Sequence, residues 1–157
     1  MARRRRAEKR ETPIDPRFQN DLVGRLISQV MRCGKRSAAE RIVYQMLDQV
    51  GERAEGEVAL EVFTRAIENI RPRLEVKSRR VGGATYQVPI EVPPPRQVAL
   101  AMRWLISFSR SRKGMGMARA MALEILEASK GQGNCIKRRD DTHKMAQANK
   151  AFAHYRW

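Results

Sequence analysis

Few side chains in this sequence are spaced to make or break a covalent bond. Asp140 and Asp141 are adjacent acids of the kind that could hold a divalent metal in a nuclease. Consecutive carboxylates on a helix, however, point about 100° apart, and acids near a helix start ordinarily answer its dipole. His143 and His154, eleven residues apart, lack the spacing of a metal pair. Cys33 and Cys135 are far apart in the chain and form no ligand cluster, so reduced thiols in a cytoplasm-like compartment are expected. No phosphate-binding G-x-x-x-x-G-K-[ST] loop occurs, and Gly82-Gly83 lies between two alternating runs rather than between a strand and a helix. No catalytic residue, no metal site and no cofactor is expected.

The groups suited to chemistry are cations, and their chemistry is the binding of polyanions. The formal net charge is +15, and it is unevenly spread. Arg3, Arg4, Arg5, Arg6, Lys9 and Arg10 open the chain against Glu8 alone. Between residues 40 and 69 three arginines face seven carboxylates, a net −4, so the rest of the chain carries +19. Further basic groups recur at Lys35-Arg36, Lys77, Arg79-Arg80, Arg110, Arg112-Lys113, Arg119 and Lys137-Arg138. Arginine forks grip phosphates bidentately and stack on bases, and neutralised phosphates release condensed counterions. A membrane surface is disfavoured, since no helix pairs a basic face with exposed aromatics and no apolar run approaches the roughly 20 residues of a spanning helix. The charged N-terminus is followed by no apolar segment, so it does not read as a secretory signal.

These groups need a scaffold, and hydrophobic periodicity supplies one. Residues 1–14 read as a basic tail that orders on its ligand, and residues 15–157 as a single helical domain. Asp15-Pro16 predicts a helix start, with Phe18, Leu22, Leu26 and Val30 forming the apolar face and Gly34 the stop. Ser37 to Glu40 fits a capping box for a second helix ending at Gly51. Leu60, Phe63, Ile67 and Ile70 mark a third, closed before Pro72. Over residues 73–92 the period falls to two, which predicts a β-hairpin. A three-residue loop, Gly82 to Ala84, would set Val76 opposite Ile90 and Arg80 opposite Tyr86. The distal half of that hairpin offers no core, so it should project as a basic arm. Pro93 to Pro95 open a fourth helix with Val98, Met102, Leu105 and Ile106 in the core and Trp104 and Phe108 beside them. A fifth carries Met117, Met121, Ile125 and Ala128, and Met115 is expected in the core with them. The last helix, about 137–153, has only Met145, Ala148 and Phe152 as apolar positions and reads as a surface for a partner. The expected class is mainly α: about six helices in one domain, with a protruding hairpin between the third and fourth.

Gly34-Lys35-Arg36-Ser37, Ala39 to Tyr44, Glu75 to Pro89, Ala99 to Leu105 and Ala146 to Trp157 resemble the bacterial S-seven family of small-subunit ribosomal proteins. The resemblance runs from Asp15 to the end of the chain. It implies a helical domain with a protruding hairpin, in the cytoplasm within the ribosome, acting in translation. It implies primary binding to the head domain of the small-subunit ribosomal RNA, which nucleates head assembly. RNA contact is carried to the N-terminal arginines and lysine, Lys35, Arg36, Lys77, Arg79, Arg80 and the turn with Arg110, Arg112 and Lys113. Arg119, Lys137 and Arg138 are added as RNA contacts on their charge alone, the run at Lys137 serving equally as a solvated helix start. The hairpin tip, Gly82, Gly83, Ala84 and Thr85, together with Arg156, should lie beside the exit-site transfer RNA and the messenger path. Neighbouring head and platform proteins, S-nine and S-eleven included, are the implied protein partners, with no membrane and no functional homo-oligomer. Two other readings of the residues compete: a DNA-bending architectural protein with a basic β-arm, whose arm would carry a stronger apolar wedge than Val81, and an RNA-cutting enzyme built on Asp140 and Asp141.

Overall fold

The computed structural model describes residues 13–54 and 56–155. Its elements are helices α1 (Asp21–Val30), α2 (Arg36–Arg53) and α3 (Ala59–Ile70), strands β1 (Leu74–Val81) and β2 (Ala84–Glu91), helices α4 (Pro94–Ser111), α5 (Met117–Ser129) and α6 (Asn134–Ala148), and a terminal 3-10 helix, Lys150–Tyr155. This is the expected class and order, six helices with a two-stranded hairpin between the third and fourth.

Asp15 caps a turn rather than a helix. Its Oδ2 accepts from the backbone N–H groups of Arg17 and Phe18 at 3.1 and 2.8 Å, and Gln19 then takes a left-handed backbone (φ 48°) that ends the turn. Asn20 is the true cap of α1, accepting from Leu22 and Val23. The chain before α1 lies close against it: a Cβ on Gly24 would stand 2.3 Å from the Pro13 carbonyl oxygen, so only glycine admits the crossing. Asp15 is fully buried, and the Tyr44 hydroxyl of α2 donates to its Oδ1 at 2.6 Å. Arg17 closes over the Phe18 and Tyr44 rings and pairs with Asp48 at 2.8 Å.

That hydrogen bond to Asp15, with burial and the carboxylate's charge, pushes the Tyr44 phenol up from 10.0 to about 12. The neutral phenol is the form the fold holds. Its stabilisation is complete below the free tyrosine value and is lost as pH rises through about 12. An alkaline titration followed by tyrosinate absorbance should therefore show one tyrosine ionising last, and Tyr44→Phe should delete that phase. Ionisation of all tyrosines together near pH 10 would show that the bond is absent in solution.

The capping box does not form, because Ser37 lies inside α2 and Glu40 is drawn to Arg36 Nε at 2.8 Å. The core is one cluster in which Leu26, Ile27, Met46, Phe63, Ile67, Met102, Leu105, Met121 and Ile125 are sealed from solvent. Met115 is an exception to expectation: it stands exposed in the α4–α5 turn, ahead of the first residue of α5.

Helix α6 also departs from its expected face and bounds, beginning at Asn134 and ending at Ala148. It docks through Cys135, Ile136, Thr142 and Ala146, while Met145 is exposed. Small residues bring it close, and Arg139 Nη1 donates to the Asn69 carbonyl of α3. The polar groups that hold this helix were invisible to an apolar count.

Candidate nucleic-acid interface

The hairpin register differs from the expected one by a residue. Leu74 pairs with Glu91, Val76 with Pro89, Arg79 with Tyr86, Arg80 with Thr85 and Val81 with Ala84, leaving a two-residue loop. Gly82 and Gly83 both take positive φ (57° and 90°), the combination that a tight turn of the strands' own twist demands. Two consecutive glycines make that turn cheaper than the three-residue loop. Because partners share a face, Lys77 and Arg79 stand with Val88 and Tyr86, and Arg80 with Thr85 on the other side.

The hairpin is held to the body along one face as far as Tyr86, and its outermost residues are exposed. Val88 is buried, and Tyr86 packs on Phe152 of the terminal 3-10 helix with ring centroids 5.2 Å apart. Glu75, nearly buried, receives Arg96 Nε at 3.0 Å on both oxygens and Lys77 Nζ at 3.4 Å. Burial would raise its carboxyl, but the Arg96 and Lys77 contacts outweigh that and hold it below the usual range. Beyond this anchor Lys77, Ser78, Arg79 and Arg80 are exposed, as are Gly82 to Thr85. Eight-residue strands reach about 26 Å at the usual rise, so the tip can enter a space the body cannot.

A second basic area forms where the α1–α2 loop meets the end of α4. Lys35 and Arg110, expected from sequence, are joined there by Arg32, and the three rim one cleft. Arg110 also borders a neighbouring cleft with Gln29, Arg103, Ile106 and Ser107. Burial and the adjacent Arg32 charge both lower the Arg110 pKa. Among the described residues no carboxylate forms a salt bridge with Arg32, Lys35, Arg103 or Arg110. Sequence reading missed Arg32 and Arg103. The signal for Arg103 was its spacing of seven from Arg110, which puts both on one side of α4.

The remaining expected residues scatter. Lys113, Arg119 and Lys137 are exposed on the α4–α5 turn, α5 and α6. Arg138 borders a cleft with Trp104, Met145 and the hairpin residues Val76 and Gln87. Arg36 is engaged with Glu40. Arg112 points inward, its Nε 2.8 Å from Glu124 and its Nη2 2.7 Å from Glu127. Arg3, Arg4, Arg5, Arg6, Lys9, Arg10 and Arg156 lie outside the described residues.

Three of the groups considered for catalysis, Asp140, His143 and Cys135, have structural partners. Asp140 holds Arg139 at 2.6 Å. His143 Nε2 accepts the Arg73 backbone N–H at 3.0 Å, and burial lowers its pKa, in keeping with a neutral ring. The Cys135 thiol is buried against Glu124, and burial raises its pKa far from the reactive range. Among the described residues no group of three His, Cys, Asp or Glu could hold a metal ion, and no helix is long and apolar enough to cross a membrane.

A family model described as "Ribosomal protein S7p/S5e" matches residues 2–150. Among characterised proteins, the small ribosomal subunit protein uS7 of Akkermansia muciniphila is 59% identical over the full length of both chains. Its counterparts in Thermomicrobium roseum and Methylococcus capsulatus are 56% and 54% identical, again over all of both chains.

Proposed function

The chain belongs to the ribosomal protein S7p/S5e family, and from that membership we propose that it is a structural, non-catalytic RNA-binding constituent of the small ribosomal subunit, acting in translation. The observation that carries the RNA-binding role is the cluster of cations without a salt-bridged carboxylate, Arg32, Lys35, Arg103 and Arg110, together with a hairpin whose basic outer residues are exposed. Elsewhere the cations Arg17, Arg36, Arg96 and Arg112 are each answered by a carboxylate. Leaving Arg32, Lys35, Arg103 and Arg110 without one keeps positive potential at one place, where phosphates can supply the counter-charge.

In the finer reading, residues 15–157 form the domain that binds the head of the small-subunit ribosomal RNA early and nucleates head assembly. Residues 1–14 add a basic tail to that contact. The hairpin end, Gly82 to Thr85, and Arg156 stand beside the exit-site transfer RNA and the messenger. The terminal helix meets head and platform proteins such as S-nine and S-eleven. The physics favours this division of labour. A cationic body anchors by charge, whereas a two-glycine tip without bulky side chains admits close approach of a backbone to nucleic acid.

Purified protein should be titrated with head-domain ribosomal RNA and with length-matched duplex DNA across a salt series. Shape-reading RNA binding predicts that the preference for RNA persists at high salt, when generic charge attraction has been screened. Equal affinities that vanish together as salt rises would sink this reading and favour a DNA-architectural role.

A further inference from the structure

The cleft rimmed by Arg32, Lys35 and Arg110 has an apolar interior that charge attraction alone does not require. Val30 and Met31 from the end of α1, Ala38, Ala39 and Ile42 from α2, and Met117 from the start of α5 line a space of about 290 Å³. It exists because α2 presents alanines on its first turns, where longer side chains would close the gap. Cys33 and Gly34, both left-handed (φ 52° and 73°), turn the connecting loop so that Arg32 and Lys35 fall on the rim. Glu40, an acid on the same turns of α2, is held by Arg36 and does not neutralise them.

We propose that this cleft is a nucleotide pocket: it receives one unstacked base of single-stranded RNA, while Arg32, Lys35 and Arg110 hold the phosphates flanking it. The proposal rests on the RNA-binding reading above and names a subsite within it. Two features select a base over other occupants. The volume lies at the lower edge of ligand-sized pockets, about 300 Å³, which suits one ring system rather than a peptide helix needing an extended groove. The ligand must also be apolar at its centre and anionic at its margin, which is the pattern of a nucleotide in a chain. Met31 and Met117 supply polarisable thioethers of the kind that pack favourably on aromatic rings. Sequence-selective RNA contacts are made mainly to bases splayed out of loops and ends, and such a contact would persist when salt has screened the phosphates.

The test uses the full chain with isotope-labelled methionine methyl groups, titrated with adenosine and uridine monophosphates and with ribose 5-phosphate as the probe that lacks a base. At least one nucleotide should shift the Met31 and Met117 signals saturably while ribose 5-phosphate leaves them in place. Ala38, exposed at the cleft mouth, can be enlarged without entering the core. Ala38→Trp should abolish the nucleotide shifts and weaken head-domain RNA binding about tenfold with an unchanged salt slope, since base stacking is worth that much. If that variant unfolds, Arg32→Gln with Lys35→Gln serves instead, and should weaken nucleotide binding several-fold. Methionine signals indifferent to both nucleotides, or moved equally by ribose 5-phosphate, would overturn the pocket. So would undiminished RNA affinity in folded Ala38→Trp, in which case RNA binding itself still stands. Failure of the unaltered protein to prefer the RNA would instead remove the reading on which the pocket rests.

Discussion

Arg112→Met should lower the stability of the free protein by about 3–5 kcal/mol, while Arg110→Met, two residues earlier in the same turn, should change it by no more than about 0.5 kcal/mol. The two arginines look equivalent in sequence, in a basic glycine-containing stretch. Their surroundings are opposite. Glu124 is completely buried on α5, and Arg112 meets its Oε1 from Nε at 2.8 Å and from Nη2 at 2.6 Å. The other contacts to Glu124 are long: Asn134 Nδ2 and the Cys135 thiol each stand at 3.4 Å. Deleting the guanidinium leaves a carboxylate in the interior with no cation, which is the costly way to break a buried pair. Arg110 is exposed and has an arginine, not an acid, beside it. Its loss relieves repulsion and should reduce RNA affinity instead. Urea unfolding of the two single variants reads the difference directly. Adding Glu124→Leu to Arg112→Met should recover most of the loss, because an apolar pair of similar volume is often no worse than a buried ion pair. Equal midpoints for Arg110→Met and Arg112→Met would contradict the structural role of the second.

That contrast explains how far the sequence could be read. Helical faces, their order and the hairpin were legible, because burial imposes periods of 3.6 and 2 on apolar residues: Leu26, Val43, Phe63, Met102 and Met121 were all recognisable as core. Two kinds of error share a cause. The register of the hairpin and the start of α1 are decided by single backbone conformations, at Gly82-Gly83 and at Gln19, which composition only hints at. Arg112, Arg139 and Glu75 were hidden for a second reason: a charged residue's role depends on which carboxylate or carbonyl the fold brings to it, and those partners are distant in sequence or on another helix. Arg139 reaches Asn69, seventy residues away. The candidate interface was therefore legible as charge but not as geometry. Lys35 and Arg110 were found as isolated basic groups, and only the packing of α1, α2, α4 and α5 joins them with Arg32 around an apolar cleft.

Replacement of Lys77, Arg79 and Arg80 together by alanine should reduce affinity for head-domain RNA by about tenfold to a hundredfold and flatten the dependence of log K on log salt by about 2. Three lost cations would remove nearer 2.7 from that slope if all contacted duplex phosphates, at about 0.9 each. Two observations reduce the expectation. Lys77 already has a carboxylate neighbour in Glu75 at 3.4 Å, so part of its charge is answered within the protein. Arg80 also stands on the opposite face from Lys77 and Arg79, and one RNA surface does not reach both faces with equal ease. Dividing the variant tests that geometry. Lys77→Ala with Arg79→Ala removes charge from the face that carries Tyr86 and Val88, and Arg80→Ala from the face that carries Thr85. If RNA lies along one face, one of these accounts for nearly all of the slope change and the other for almost none. If the tip is inserted into a cleft of the RNA, the two add. Should affinity and slope survive the triple replacement intact, the arm is not an anchor for ribosomal RNA, and its cations act on a different strand. Stability should not obscure the result, since all three side chains are exposed and the strand pairing, the Glu75–Arg96 contact and the Tyr86–Phe152 packing remain in place.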